Sequence, residues 1–240
     1  MSKFLLKFIS FFLIGVVLII VYLSYFGIET DKFDDLIKKK ANEVNQNIQL
    51  EFNKTKIHFN PTELNLAVKL QEPKILVKKN EIILSKIDLF LPLKSFVTSN
   101  FLLQKVEIAF FKNDIKDLTK ITNVFVPRII NKQIKRIFSK GKIEGEFVIP
   151  FNSDGSVGKN YEIKGKIINA DININSDLKI NNMSTDIKYF SKSDNDKKIN
   201  FLINKGKLLN LNIQNSSIDI HLINDKKVIK SKIKTKGKSN

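Results

Sequence analysis

The sequence predicts a mainly β protein that follows a single N-terminal transmembrane helix and contains a few short helices. The first observation is a stretch without charge over residues 8–28. The second is a change from helical spacing to alternation of apolar and polar residues from residue 48 onward. The third is the recurrence of turn residues at intervals of about 8–12 positions, which is typical of all-β domains.

Composition limits the class of protein and its chemistry. The chain has 240 residues, enough for one domain or two small ones beside a membrane anchor, and 42% of them are hydrophobic, so a packed core is expected. The sequence contains no cysteine. Thiolate zinc sites, disulfides and thiol catalysis are therefore excluded.

The formal net charge of +17 is carried almost entirely by lysine, because Arg128 and Arg136 are the only arginines among 41 basic residues. A basic chain suggests a polyanionic partner such as nucleic acid or an anionic membrane surface. Readout of guanine favours arginine, however. The abundance of Lys, Asn and Ile is also what an AT-rich coding sequence produces. We therefore expect no nucleic-acid partner.

Residues 8–28, with the sequence FISFFLIGVVLIIVYLSYFGI, form the predicted membrane anchor. The stretch has 21 residues, and a helix that crosses a bilayer needs about 20. Lys3 and Lys7 precede it, whereas acidic residues follow it closely. The positive-inside rule then places residues 1–7 in the cytoplasm of a bacterium and the chain beyond the inner membrane in the periplasm.

Two alternatives to a retained anchor are open. A cleaved signal peptide has an apolar region of about 7–15 residues and a small-x-small cleavage site, whereas this stretch is longer and ends in Tyr25, Phe26 and Gly27. Cleavage would release a secreted binding protein. A core helix is the other alternative, but it rarely lacks a polar face. The sequence favours the retained anchor.

Residues 29–47 are predicted to form a short amphipathic helix outside the membrane, with Thr30 as its cap and Asp31 at its first position. Residues 48–112 are predicted to form a first β-sheet segment. Apolar residues there alternate with polar ones, as in an antiparallel sheet with one buried and one solvated face.

Residues 113–140 interrupt the strands and are predicted to be a helical insertion. Its second helix, from Pro127, has an apolar stripe of Ile130, Ile134 and Phe138 opposite a basic stripe. The basic stripe supplies the candidates for contacts with lipid headgroups, which are Arg128, Lys132, Arg136 and Lys140. The sequence favours the alternative that the apolar stripe covers one end of the sheet and that the basic stripe is solvated.

Residues 141–240 are predicted to form a second β-sheet segment, with turns rich in Asn, Asp, Ser and Gly. Its predicted strands are Ile143–Ile149, Tyr161–Ile174, Leu178–Tyr189, Ile199–Ile203, Leu208–Ile213, Ile218–Leu222 and Val228–Ile233. Alternation continues almost to the last residue, so the sheet is expected to end in an open edge.

No arrangement of residues in the sequence indicates an enzyme, a metal or a cofactor. His58 and His221 both lie in the polar phase of predicted strands and are expected to face solvent. The segment Asp194–Asp196 is similar to half of a calcium-binding loop but is not followed by the Gly and Glu that such a loop needs. The P-loop, GxGxxG and GxSxG motifs are absent from the sequence.

The layout resembles the N-terminal part of the AsmA-like family, which includes the long TamB- and YhdP-type envelope proteins. An uncleaved anchor followed by a short helix is one part of the resemblance. The other matching segments, two of which have the β-repeat rhythm of that family, are Phe52–Phe59, Leu64–Leu70, Pro73, Ile82–Leu93, Tyr161–Ile172 and Gly206–Ile213.

The resemblance implies a non-enzymatic protein of the bridge-like lipid transfer group. Its curved antiparallel sheet would form an open hydrophobic groove for acyl chains, and it would bind or transfer phospholipid in the biogenesis of the cell envelope and outer membrane. The candidate groove residues, taken from the resemblance and the alternation together, are Leu64, Leu66, Val68, Leu70, Ile87, Leu89, Leu91 and Leu93.

The expected partners are membrane phospholipid, the inner membrane and other envelope proteins that continue the groove. The last of these is expected because about ten strands at a spacing of about 4.8 Å reach only about 50 Å, which is too short to cross a periplasm. The alternative function is an anchored β-scaffold that binds no lipid and assists the assembly of envelope proteins. That alternative corresponds to a closed β-sandwich, in which the protein covers its own apolar face.

Overall fold

A computed structural model of the protein describes residues 3–44, 46, 48–77, 80–93, 102–117, 136–175, 177–193, 195–224 and 226–237. Two helices near the N-terminus accompany an antiparallel sheet of 14 strands. The prediction of a mainly β protein with an apolar N-terminal helix and few other helices is confirmed.

Helix α1, Lys3–Tyr25, contains the segment Lys7–Tyr25, which is long and apolar enough to cross a membrane and is not buried by the rest of the protein. The helix ends before the predicted limit at Ile28 because Gly27 takes a left-handed conformation with φ +68°. The N–H groups of Phe26 and Gly27 both donate to the Tyr22 carbonyl oxygen, at 2.8 and 3.3 Å.

The helix leads directly into the sheet. Strand β1, Ile28–Thr30, pairs with a strand that contains Ile57 and His58, and a Cβ atom on Gly27 would lie 2.6 Å from the Ile57 carbonyl oxygen. The Nδ1 atom of His58 lies 3.4 Å from the Ser24 carbonyl oxygen, and burial lowers the pKa of His58. His58 is therefore half-buried at this junction. The prediction that it faces solvent was wrong.

Helix α2, Asp34–Val44, lies inside the predicted segment 29–47 but is shorter. The Thr30 hydroxyl accepts a hydrogen bond from the Lys32 N–H at 3.2 Å, in a turn that precedes the helix, so Thr30 does not cap it. Ile37 packs against a buried cluster that contains Phe52, and Lys38 Nζ lies 5.0 Å from the centre of the Phe52 ring.

The first half of the sheet has a main path and a side branch. After β1, the main path continues through β3, Thr55–Asn60, β4, Asn65–Leu70, β6, Asn80–Pro92, and β7, Lys105–Asp114. The side branch consists of β2, Ile48–Glu51, and β5, Lys74–Val77, which pairs with the first residues of β6. Leu50 and Ile75 of the branch pack against the cluster of Phe52, Leu70, Leu84 and Ile87, so the branch covers this end of the main sheet.

The second half consists of long strands of 13 to 15 residues with short connections, except for its last two strands. These strands are β8, Phe138–Pro150, β9, Tyr161–Asn173, β10, Lys179–Ser193, β11, Asp196–Leu208, β12, Leu211–Ile223, β13, Lys226–Lys232, and β14, Thr235–Lys236. Both β13 and β14 pair with β12.

The sheet is not closed. Its main path runs from β1 through β3, β4 and β6 and then through each strand in turn to β13, with antiparallel pairing throughout. In the part of the chain that the structure describes, the extensive contacts of β8–β12 are all with hydrogen-bonded neighbours. The described strands therefore do not form the second layer that a closed β-sandwich requires over this half.

The helical insertion predicted for residues 113–140 is shorter at both ends. Asn113 and Asp114 complete β7, residues 115–117 and 136–137 are helical, and β8 already begins at Phe138. Ile115 is buried in a cluster with Ile167 and Ala170. The predicted stripe residues Ile130 and Ile134 lie outside the described residues.

A line of bulges crosses β8–β12. Gly141, Asn169, Asn182 and Asn215 take positive φ values of 135°, 50°, 52° and 44°, and the pairing register shifts beside the first three. Asparagine and glycine tolerate this conformation better than other residues. Because bulges bend strands and increase their twist, this line bends the sheet.

Candidate functional site on one face of the sheet

The pairing register gathers apolar residues of consecutive strands on one face of the sheet. Residues that pair directly across antiparallel strands point to the same side. One row of such residues crosses β6–β13 without a charge and consists of Ile87, Ile108, Phe147, Ile163, Tyr189, Ile199, Ile220 and Ile229. We call this side of the sheet the apolar face.

A second row on the apolar face contains a gap. It consists of Leu84, Phe110, Gly145, Gly165, Ile187, Phe201 and Ile218. The Phe110 ring lies over Gly145, where a Cβ atom would come within 2.9 Å of two ring atoms, and it stacks on Phe147 with a centroid distance of 5.8 Å. Nothing comparable fills the space at Gly165, where the nearest atom to a Cβ would be 3.7 Å away.

The opposite side of the sheet is charged, and we call it the polar face. One of its rows consists of Lys86, Ala109, Glu146, Lys164, Lys188, Asn200, Asp219 and Lys230. A shallow depression of about 770 Å³ is bordered both by residues of the second apolar row and by the charged residues adjacent to them, which are Phe110, Gly145, Gly165, Ile187, Glu144, Glu146, Lys164, Lys166, Asp186 and Lys188. The polar face thus has the character of a solvated surface.

A lysine on β6 connects two carboxylates on the polar face. Lys86 Nζ lies 3.4 Å from Asp88 and donates a hydrogen bond to Glu107. Burial raises the pKa of the Asp88 carboxyl in spite of the lysine. Burial acts in the same direction on Glu107, but the hydrogen bonds and charges of Lys86 and Lys105 together outweigh it and hold the pKa of Glu107 below its usual value. These residues stabilise the first half of the sheet from its polar side.

The apolar face is covered at one end and half exposed over the rest. Val68 on β4 and Leu91 on β6 are each only 2% exposed. By contrast, the large apolar side chains in the centre of β8–β12 are half-buried, among them Phe147, Ile163, Ile187, Phe201, Ile218 and Ile220. A contiguous apolar surface left partly open over several strands marks a site for a ligand or partner.

Six of the eight groove residues predicted from the sequence lie on the apolar face. They form three directly opposed pairs, which are Leu66 with Leu91, Val68 with Leu89, and Leu70 with Ile87. Most of them are buried in the covered end, however, so they are core residues more than surface residues. The half-exposed residues of β8–β12 were missed as site residues, although their alternation was visible, because the sequence does not reveal which strands are left uncovered.

The other two predicted groove residues are not on a strand. Leu64 lies in the turn before β4, is 63% exposed and has a φ of 48°. The turn forms because the Asn60 side chain accepts a hydrogen bond from the Thr62 N–H at 3.2 Å, which ends β3. Leu93 follows the last paired residue of β6, Pro92, and is 40% exposed.

The predicted headgroup residues do not form one helical stripe in the structure. Arg128 and Lys132 lie outside the described residues, and Arg136 is exposed just before β8. Lys140 lies in β8, which begins at Phe138. The Lys140 Nζ atom is 3.2 Å from Asp171 Oδ2. The placement of Lys140 on a helix was therefore wrong.

The bulges keep the apolar face continuous. On β9, Ile163, Gly165 and Ile167 alternate, and a regular strand would then turn Ala170 to the polar face. The bulge at Asn169 adds one residue, so Ala170 packs in the same cluster as Ile167. On β12, Asn215 also has a positive φ, of 44°, and Ile213 packs in one cluster with Ile218.

The two flanks of the apolar face differ in chemistry. On one flank, beyond the bulges, the paired residues are Phe138, Ile172, Ile180, Leu208 and Leu211. On the other, the paired residues are Tyr161, Ser191, Lys197, Leu222 and Lys227. The hydroxyl oxygens of Tyr161 and Tyr189 lie 3.3 Å apart, and burial together with this contact raises the pKa of Tyr189 to about 12. We call Tyr161, Tyr189, Ser191, Lys197 and Lys227 the polar rim.

Some titratable groups outside the apolar face are paired locally. His221 Nε2 lies 2.8 Å from Asp196 Oδ1 on the polar face, and this hydrogen bond lowers the pKa of Asp196. In the described ranges, no group of three or more His, Asp or Glu residues is arranged to hold a metal ion.

The fold and the site together define an open antiparallel sheet with a one-sided apolar face, joined to a helix that is able to cross a membrane. Comparisons with protein-family models, with curated proteins and with solved structures find no match to this chain.

Proposed function

We propose that the protein is a non-enzymatic, membrane-anchored phospholipid-binding protein of the bacterial cell envelope, of the type that the AsmA-like resemblance suggests. In this proposal α1 crosses the inner membrane with residues 1–7 in the cytoplasm, the sheet lies in the periplasm, and the apolar face holds acyl chains during the transport of phospholipid toward the outer membrane.

The half-exposed apolar face of β8–β12 is the observation that carries the proposal. Each of these strands already pairs with two neighbours, so its backbone hydrogen bonds are made within the sheet. The apolar face therefore presents mainly apolar side chains to a ligand. Covering such a surface is favourable by about 25 cal/mol per Å² and needs no hydrogen-bond partner. Acyl chains supply that cover, and α1 keeps the face beside a source of them.

The experiment uses the alternation itself as its control. A photoreactive amino acid is placed in the full chain, in membranes, at Phe147, Ile187 or Phe201 on the apolar face. The matched controls place it at Glu146, Lys188 and Asn200, the neighbouring residues on the polar face. Lipid adducts are then identified by mass spectrometry after irradiation.

We expect phospholipid adducts at the three apolar-face positions and few at the three controls. Equal labelling of both faces would mean that the sheet meets lipid without a specific site, and the proposal would be wrong. Absence of lipid from all six positions, with the chain still in the membrane fraction, would also reject it.

A scaffold that assists envelope protein assembly is the second candidate, and the edge strand β13 favours it. All seven residues of β13 are exposed, so its outer backbone groups are free to pair with a strand of another protein, including one that continues the groove. Protein adducts on the apolar face, in place of lipid adducts, would support this candidate.

A further inference from the structure

We infer that the apolar face binds anionic phospholipid in one orientation, with the headgroup at the polar rim and the acyl chains directed across the face toward the apolar flank. This inference rests on the proposed function and adds to it a headgroup class and the residues that select it.

The register provides the first argument. Ser191 lies directly between Tyr161 and Lys197 in the pairing of β9, β10 and β11, so a hydroxyl and an ammonium group are neighbours on adjacent strands. Lys227 follows two strands further, beyond Leu222, which places it about 10 Å from Lys197 at about 4.8 Å per strand. These groups share the side of the sheet that carries Ile163, Ile199 and Ile220.

Charge complementarity provides the second argument. The polar rim contains two ammonium groups and three hydroxyls and no carboxylate, whereas the polar face of the same strands mixes acids with bases. The ammonium groups are the main donors to phosphate oxygens, because Ser191 is buried and donates to the Ser193 carbonyl oxygen, and the Tyr161 and Tyr189 hydroxyls contact each other. An amphiphile whose headgroup is anionic and lacks a compensating cation therefore fits the rim best.

The opposite flank provides the third argument, because it gives the ligand a direction. There the paired residues are apolar from Phe138 on β8 to Leu211 on β12, and Ile172, Ile180 and Leu208 pack into the neighbouring buried clusters. The paired side chains of that flank offer a headgroup no hydrogen-bond partner, and Arg136, exposed just before Phe138, precedes the strand. A membrane lipid is the occupant to which we commit, because α1 places the same chain beside a bilayer.

The test uses the full chain in nanodiscs that contain equal amounts of phosphatidylglycerol and phosphatidylcholine, with the photoreactive residue at Ile187. The quantity measured is the ratio of the two lipids among the adducts. The rim variant carries Lys197→Gln and Lys227→Gln. The matched control carries Lys198→Gln and Lys226→Gln, which remove the same charge from the same two strands but on the polar face.

We expect phosphatidylglycerol to be enriched in the adducts of the unmodified chain and of the control. In the rim variant the enrichment should fall by about fivefold or more, since one lysine near an anionic headgroup changes affinity by about that factor, while the total amount of adduct stays similar. Adducts without enrichment, or an equal loss in the rim variant and the control, would overturn the inference and leave lipid binding intact. No adducts at all would instead reject the proposed function.

Inorganic phosphate in excess distinguishes the headgroup of a lipid from a free anion. If phosphate abolishes the labelling of Ile187, the rim binds a small anion and the orientation across the face is wrong. In excess phosphate, the inference predicts that the enrichment of phosphatidylglycerol is lost while the total amount of lipid adduct at Ile187 is kept.

Discussion

Gly145 on β8 lies directly opposite Gly165 on β9, and the ring of Phe110 occupies the space above the first glycine but not above the second. Both positions are glycines in paired strands, and they differ in the atoms that a side chain would contact. A side chain at Gly145 would meet the Phe110 ring at 2.9 Å and the Lys164 carbonyl oxygen at 3.1 Å, whereas at Gly165 a Cβ atom would make an ordinary van der Waals contact with the Glu144 carbonyl oxygen at 3.7 Å.

The first prediction follows from this difference. Gly145→Ala is expected to lower the free energy of unfolding by about 1–3 kcal/mol, because the new methyl group displaces Phe110 from its stack with Phe147. Gly165→Ala is expected to lie within about 1 kcal/mol of the unmodified protein, since alanine also restricts the unfolded chain. Chemical denaturation of the full chain in detergent measures both, and an equal cost at the two sites would contradict the structure.

A second prediction concerns the cluster of Lys86, Asp88 and Glu107. The Asp88 side chain is only 8% exposed, so Lys86→Met leaves a poorly hydrated carboxylate without its ion-pair partner, whereas Glu107 keeps Lys105 at 3.3 Å. We expect a loss of about 1–2 kcal/mol at pH 7, less than for a fully buried pair. Lys74→Met is the control, because its partner Glu81 is exposed, and it should have a much smaller effect.

The same variant has a defined dependence on pH. Burial already raises the pKa of the Asp88 carboxyl in the folded protein, and removal of Lys86 raises it further above that of the unfolded chain. The cost is complete above the folded pKa of Asp88 and falls as the pH drops toward the unfolded value, because the folded state then binds a proton more readily. The stability difference between Lys86→Met and the unmodified protein should therefore narrow from pH 7 to pH 5, and a difference that widens would be contrary to this account.

A third prediction separates the covered end of the apolar face from its open part. Val68→Ala removes a buried side chain and should cost about 2 kcal/mol of stability, without altering the lipids labelled from Ile187. Phe201→Ala removes a half-buried ring and should cost less stability but reduce the labelling. Denaturation and adduct yield are measured for each variant, and the reverse pattern would show that β8–β12 form the core and β4–β6 the open surface.

A fourth prediction tests the line of bulges. Asn182 has a φ of 52°, and its N–H donates to the Asp171 carboxylate at 2.9 Å. Asn182→Val should lose about 1–2 kcal/mol because a β-branched residue is strained at this φ, whereas Asn182→Gly should lose little. The midpoint of denaturation compares them, and a tolerated valine would mean that the strand does not need this conformation.

Much of the fold could be predicted because its signals are local. The apolar stretch of α1 and the alternation in β4 and β9 depend only on neighbouring residues, and the structure has both. Alternation also identified six residues that lie on one face, from Leu66 to Leu91. The errors at Leu64 and Lys140 concern element ends, where a side-chain hydrogen bond or the start of a strand decides the outcome.

The candidate site itself was less accessible to sequence reasoning. Whether an apolar strand face is covered depends on contacts between distant parts of the chain, such as Ile37, Leu50 and Ile75 around Phe52. The polar rim likewise depends on pairing across five strands, from β9 to β13, and nothing in the local sequence relates Tyr161 to Lys227. One signal was nevertheless present in the sequence. The alternation of apolar and polar residues shifts by one position at Asn169 and at Asn215, where the structure has positive φ values.

The junction after α1 has a mechanical consequence. Phe26 and Gly27 alone separate α1 from β1, and two residues extend at most about 7 Å. With α1 held in a bilayer, the sheet stays close to the membrane surface, because this short connection does not allow it to move between two membranes. Under the proposed function, a lipid on the apolar face would therefore be loaded and unloaded at this fixed distance from the membrane.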